Sequence, residues 1–197
     1  MKHFILNVEE NLIHYLSGLN RDINGRKSVI KRILSSTNMN LIDQLENYEK
    51  EYFEKFSEYE IAKEETFESL IKENEKTKDI DRNSMDINWK IDFFQKTLDI
   101  DVVNKYKLEP ISEIDNETIN TLRIQTITVT AMEEILSEYV SEGYDLTAPT
   151  YQKYFEKYTI KKDEHEIFKE ELAKKYNVDK IQWKIDYNTK TLYKISK

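Results

Sequence analysis

The chain has 197 residues, of which 38 are acidic and 30 are basic, so its formal net charge is −8 at neutral pH. It contains no cysteine, which excludes disulfide bonds and metal sites built on thiolates. Aromatic residues reach 12%, unlike the composition of disordered chains, and no stretch approaches the roughly 18 apolar residues of a membrane span. Acidic residues at positions 9 and 10 come too early for a secretory signal peptide. We therefore expect a folded, cytoplasmic protein without a membrane partner.

The N-terminal part predicts two short helices. Residues 7–10, Asn-Val-Glu-Glu, have the spacing of a capping box, and apolar residues then recur at helical intervals over 8–19. The pair Asn24-Gly25 is a typical chain breaker. A second helix is therefore predicted near 26–36.

A much longer helix is predicted from about 40 to 75, about 50 Å at 1.5 Å per residue. Its apolar residues are three or four positions apart, with one turn skipped: Leu41, Leu45, Tyr48, Tyr52, Phe56, Tyr59, Phe67 and Leu70. The segment 43–81 contains 14 acidic and 6 basic residues, a net charge of −8, while the rest of the chain is balanced. This one segment therefore carries the net charge of the whole protein.

A ten-residue segment headed by a tryptophan occurs twice. Trp89 to Leu98 reads WKIDFFQKTL, and Trp183 to Leu192 reads WKIDYNTKTL. Apolar and polar residues alternate on either side of a polar turn, which predicts β-hairpins at 88–100 and 182–195 whose tryptophans pack into a core. Phe94 falls in the first turn, so we expect that hairpin tip to be covered.

Between the hairpins the sequence predicts two more helices. The first follows Pro110 and runs over 119–140, ending near Gly143. Its β-branched stretch 124–130 would also suit a strand, but the apolar spacing that follows favours a helix. The second helix begins at Thr147-Ala148-Pro149 and continues to Tyr176.

These elements suggest an internal duplication. Short matches upstream of the hairpins share one offset of 102 residues, and the hairpins themselves are offset by 94. The predicted fold class is mostly helical α+β, with pseudo-repeats at 1–103 and 104–197, each a helix, a long helix and a hairpin. Because a lone hairpin is marginally stable, the two hairpins are expected to form one four-stranded antiparallel sheet. Two small domains joined near 101–115, or one compact domain, are the alternatives.

Signatures of catalysis are weak. The three histidines lack the Glu-x-x-His spacing of helical metal sites, and His165 lies in a polar run that predicts a solvent-facing position. Three glycines, none in a phosphate-binding pattern, rule out nucleotide fingerprints. Asp92 and Asp186 recur in both hairpins, where we expect them to bond turn backbone rather than form a catalytic pair. No catalytic residue, metal or cofactor is predicted.

The sequence thus favours a non-enzymatic protein-binding module of the inhibitor, immunity or adaptor type. We expect the partner to be another protein, with a basic surface. The long acidic helix would contact this partner through Glu51, Glu54, Glu58, Tyr59, Glu64, Glu65 and Glu68. Self-association through that helix is a further option. Direct nucleic-acid binding is not expected, because the basic run at 26–32 is short and could pair with the acidic helix. Two alternatives stay open: an acidic mimic of nucleic acid that blocks a DNA- or RNA-binding protein, and an enzyme using carboxylates or His14 between the repeats.

Overall fold

The computed structural model of the protein describes residues 2–80, 85–105, 107–178, 182–187 and 189–196. Within them the chain is a mostly helical α+β protein, as the sequence predicted. In chain order the elements are β1 (Lys2–Asn7), α1 (Glu10–Leu34), a short 3₁₀ turn (Met39–Leu41), α2 (Ile42–Glu73), β2 (Met85–Asp92), β3 (Thr97–Lys105), β4 (Lys107–Glu113), α3 (Asn116–Ser141), α4 (Pro149–Lys175), β5 (Trp183–Asp186) and β6 (Thr191–Ser196).

The strands form two three-stranded antiparallel sheets, in the orders β1-β3-β2 and β4-β6-β5. The expected four-stranded sheet is therefore not found: within the described residues, each hairpin takes its third strand from its own half of the chain. Sequence reasoning missed β1, because its apolar run is short and directly precedes a helix. It missed β4 because Pro110 resembles a linker residue, whereas an edge strand tolerates proline.

The two hairpins have the same register. Ile91 is opposite Leu98 in one, and Ile185 is opposite Leu192 in the other. Both turns end on a lysine, Lys96 or Lys190, with φ of 55°. The carbonyl of each of these lysines accepts a backbone hydrogen bond from the residue that follows the third strand, at 2.9 Å from Val8 and 2.8 Å from Ile114.

The first helix is longer than predicted. α1 is one helix through Asn24-Gly25 rather than two short ones, so the predicted break is wrong. Ile23 and Ile30 are buried on either side of Gly25. Core packing of this kind outweighs the roughly 1 kcal/mol by which glycine disfavours a helix.

The other helices agree better with their predictions. α2 spans 42–73, close to the predicted 40–75, and α4 begins at Pro149. The ambiguous stretch 124–130 is helical within α3. Its Ile127 and Val129 pack beside the apolar core, so burial decides between two local propensities.

The chain divides into two compact units. The first, here the sheet unit, comprises residues 1–17, 61–119 and 172–197, and the second, the helical unit, comprises 18–60 and 120–171. Each unit takes residues from both halves of the sequence. The predicted repeats 1–103 and 104–197 describe a different division, along the sequence, and stay a prediction.

The sheet unit has a core that includes the first hairpin. Leu98 and Ile100 of β3 are fully buried beside Phe67 of α2. Trp89 stacks on Phe67 with ring centroids 4.7 Å apart, and the Lys63 ammonium lies 5.7 Å above the indole. The expectation that Trp89 serves the core is confirmed.

The helical unit packs parts of all four helices around buried aromatic and aliphatic side chains. The largest that are fully buried are Tyr52 of α2, Tyr139 of α3 and Tyr154 of α4. α3 ends at Ser141, and Gly143 follows in the turn with a φ of 75°; beyond it the Asp145 carbonyl accepts a 3.0 Å bond from the Tyr139 hydroxyl. The predicted helix stop at this glycine is confirmed.

Candidate functional site

The predicted partner-binding carboxylates in the helical unit lie on one face of α2. Glu51, Glu54 and Glu58 are three and four residues apart, the spacing of neighbours on a helix surface. Glu51 and Glu54 are exposed, and Glu58 is half-buried. Glu51 bonds to Arg26 of α1, and Glu58 accepts a bond from Lys55 at 2.7 Å. Part of the acidic charge is thus neutralised within the protein.

The remaining predicted site residues differ in exposure. In the sheet unit Glu65 is exposed, while Glu64 and Glu68 are half-buried, and Lys72 lies 3.4 Å from Glu68. Tyr59, in the helical unit, packs against the core. Burial, together with the nearby carboxylates of Glu60 and Glu134, raises the pKa of Tyr59 to about 12.

The aromatic side chains of α2 mostly face inward. Tyr52, Phe56 and Phe67 are buried, whereas Tyr48 is 38% exposed. The surface of this helix is therefore acidic, and Tyr48 is its main aromatic contribution.

The basic run on α1 forms two different sets of ion pairs. Arg26 pairs with α2, as the sequence suggested, but Lys27 and Lys31 face α3. Lys27 contacts Glu134 at 3.1 Å and also bonds Glu138. Lys31 lies 3.1 Å from Glu138 and 2.6 Å from Glu142. The lysines are buried and their glutamates are partly exposed, so these residues form a ladder of charges along the two helices.

Lys31 and Glu138 favour their charged forms within the ladder. Burial disfavours those forms, but the hydrogen bonds and charges of the residues paired with Lys31 and Glu138 outweigh it. The pKa of Lys31 is raised and that of Glu138 is lowered. Sequence reasoning missed this ladder, although the four-residue spacing of Lys27 and Lys31 and of the three glutamates was a readable signal. The sequence did not show which helices are neighbours.

A cleft of about 410 Å³ lies between α2 and α4 in the helical unit. At its wall Glu49 is buried, and its Oε2 accepts a 2.6 Å bond from Lys157. Burial raises the pKa of the Glu49 carboxyl in spite of this lysine. The neighbouring Tyr154 is also buried, and burial with the Glu49 charge raises the pKa of its hydroxyl. Sequence reasoning missed this cleft, because one buried glutamate could not be told apart from the many exposed ones.

A second groove, of about 310 Å³, lies between α3 and α4. It is lined by aromatic rings of α4, including Tyr151 and Phe155, whose centroids are 6.2 Å apart. Phe155 and Val140 of α3 are about half exposed. The groove is apolar and open.

The histidines do not converge. His14 is an exposed residue 3.8 Å from Glu10 of the same helix, and His3 bonds Asp101 at 2.8 Å. His165 is buried, so its predicted solvent-facing position is wrong: the polar neighbours in sequence point elsewhere on α4. Among the residues that the structure describes, no three His, Asp or Glu side chains are grouped so as to hold a metal ion.

The repeated aspartates bond turn backbone, as expected. Asp92 Oδ1 accepts from the N–H groups of Phe94 and Gln95 at 2.9 and 2.8 Å. Asp186 accepts from the Thr189 N–H at 3.4 Å and from the Thr189 hydroxyl at 2.8 Å. Phe94 itself is 88% exposed, so the expectation that other parts of the chain cover this hairpin tip is wrong.

Comparison with protein-family models, curated proteins and solved structures finds no match to this chain. None of the helices that the structure describes combines the length and apolar character needed to cross a bilayer.

Proposed function

We propose that the protein acts by binding another protein, and that the carboxylates of α2 in the helical unit meet a basic surface of that partner. The observation that carries this proposal is the row formed by Glu51, Glu54 and Glu58 on one face of a regular helix. This row belongs to the segment that supplies the net charge of −8.

The residues that a catalytic alternative would use have other partners. Asp92 and Asp186 bond turn backbone in separate sheets. His14 is exposed on the surface of α1 beside Glu10. These placements favour binding over catalysis.

Electrostatics determines what such a surface contributes. Exposed ion pairs add about 0–1 kcal/mol each, but a charged surface speeds the encounter with a partner of opposite sign. Arg26 and Lys55 compete for two of the three carboxylates, so the partner must displace or share these pairs. Binding should therefore weaken with added salt.

The test compares two triple variants as bait in affinity capture with mass spectrometry. The first is Glu51→Gln, Glu54→Gln and Glu58→Gln. The second is a matched control on α4, Glu164→Gln, Glu166→Gln and Glu170→Gln, which removes the same charge from three exposed positions. We expect a basic protein that is captured by the wild type and the control and lost with the α2 variant. A partner retained equally by all three would contradict the assignment to α2, and release by added DNA would favour nucleic-acid mimicry.

We also infer that the two halves are copies of one unit. Each half has the order strand, two helices, two strands, and each sheet places the last strand of its half in the centre. The shared hairpin register and the paired φ values of Lys96 and Lys190 support this origin. The acidic helix belongs to the first copy alone, so specialisation for a partner lies there.

A further inference from the structure

The cleft between α2 and α4 contains buried polar groups with unused bonding capacity. Glu49 is 2% exposed, and its Oε1 has no hydrogen-bond partner among the described residues. Tyr154 is 1% exposed, and its hydroxyl likewise has no partner there. Buried polar groups are almost always hydrogen bonded, so two exceptions beside one cleft require an explanation.

Both of these oxygen atoms can be satisfied by a ligand that donates hydrogen bonds. Lys157 already bonds Oε2 of Glu49, and an ionised carboxylate can only accept. A tyrosine hydroxyl can accept as well. A group that donates several hydrogen bonds, such as a protonated amine, would satisfy both oxygens.

The rest of the cleft suits a small amphipathic molecule. Leu45 and Ile160 provide apolar lining, and the volume of about 410 Å³ lies within the range of small-ligand sites. Three acidic and three basic residues line the cleft, so its formal charge is balanced and does not favour an anion: Glu46, Glu49 and Glu156 against Lys153, Lys157 and Lys161.

We propose that this cleft binds a small aliphatic amine, whose ammonium group donates to Glu49 Oε1 and to the Tyr154 hydroxyl and whose carbon chain lies against Leu45 and Ile160. Both oxygens are closed to solvent, so a side chain at the cleft must move to admit the ligand. Lys157 suits this role, because its side chain is flexible, 41% exposed and directly bonded to Glu49. The proposal does not depend on the acidic face of α2, since it uses neither Glu51, Glu54 nor Glu58.

The test is calorimetric titration of the full chain with three probes of similar size: n-butylamine, n-butanol and butyrate, at one ionic strength near neutral pH. We expect saturable binding of butylamine and none of the other two. Backbone amide shifts should move at residues 45–49 and 153–161. Absence of saturable amine binding, or equal binding of butyrate, would overturn the proposal.

Variants locate the site. Glu49→Gln should weaken butylamine binding by about tenfold or more, because it removes a charged acceptor. Tyr154→Phe keeps the aromatic ring but removes the hydroxyl, and it should weaken butylamine binding by about threefold. This variant tests the site if Glu49→Gln does not fold. Glu170→Gln, at an exposed position of α4 outside the cleft, should bind butylamine as the wild type does. If Tyr154→Phe and Glu49→Gln both bind normally, the amine lies elsewhere and the assignment fails.

Discussion

At the scale of single residues, His165 stands out because α4 buries an imidazole within a charged sequence. Burial lowers the pKa of His165 below its ordinary value of 6.5, the Lys169 ammonium lowers it further, and the Glu166 carboxylate partly opposes them. The folded chain therefore holds this histidine neutral at a pH where the unfolded chain would already bind a proton.

The sign of the resulting pH dependence is fixed. Burial of neutral His165 contributes fully to the free energy of unfolding above pH 6.5. This contribution is lost as the pH falls through the lower pKa that His165 has in the folded state. We expect the difference in free energy of unfolding between the wild type and His165→Leu to shift in favour of the variant as the pH falls from about 7.5 to about 5. Urea unfolding across that range measures it.

Ile167→Leu is the control, because it changes an exposed position of α4 without removing a titratable group, and the difference in its free energy of unfolding from the wild type should not change with pH. A difference between wild type and His165→Leu that is constant with pH would show that His165 is not held neutral.

The burial of a single residue cannot be predicted from the polarity of its neighbours in the sequence. The polar run around His165 correctly predicted an exposed stretch, but a helix places adjacent residues on different faces. Glu49 was equally hidden, because only the packing of α4 against α2 makes it a buried carboxylate.

At the scale of elements, two glycines provide a test of how α1 and α3 are built. Gly25 lies inside α1 with a helical φ, and an added Cβ would meet no atom within 4 Å. Gly143 has equally open surroundings, but its φ of 75° disfavours any side chain.

We therefore expect Gly25→Ala to stabilise the protein by about 0.5–1 kcal/mol and Gly143→Ala to destabilise it by about 1 kcal/mol. Chemical denaturation of the two variants measures both effects. Neither position has a steric conflict, so changes of opposite sign in the free energy of unfolding would result from backbone conformation alone. A destabilising Gly25→Ala would indicate that α1 is broken at Asn24-Gly25, as the sequence first suggested.

The local sequence pattern predicted the helices and strands themselves better than it predicted which of them lie side by side. The alternation in 89–98 and 183–192 correctly predicted both hairpins, because period two is a property of the strand itself. The third strands were missed, since strand pairing is decided over long distances: β1 pairs with a strand that begins 90 residues after Asn7. The acidic helix was also found from pattern, whereas the lysine ladder required knowledge that α1 lies beside α3.

At the scale of the whole molecule, the helical unit depends on both halves of the sequence. Thr150 of α4 is fully buried, and its hydroxyl lies 2.6 Å from the Leu34 carbonyl and 2.7 Å from that of Ser36. Lys27 and Lys31 of the first half are buried against glutamates of the second. Separation of the halves would break these bonds and expose to water the apolar side chains that α1 and α2 bury against α3 and α4, which is costly.

This dependence predicts fragment complementation. Residues 1–105 and 106–197, prepared separately, should each show reduced helicity and bind a dye specific for exposed apolar surface. Mixed in equal amounts, they should recover the circular dichroism of the full chain and elute as one 1:1 complex. Lys27→Met in the first fragment should weaken that complex, while Lys50→Met, at an exposed position on α2, should not. If each fragment instead unfolds cooperatively by itself, the halves are independent domains, and the alternative of two small domains joined near 101–115 is correct.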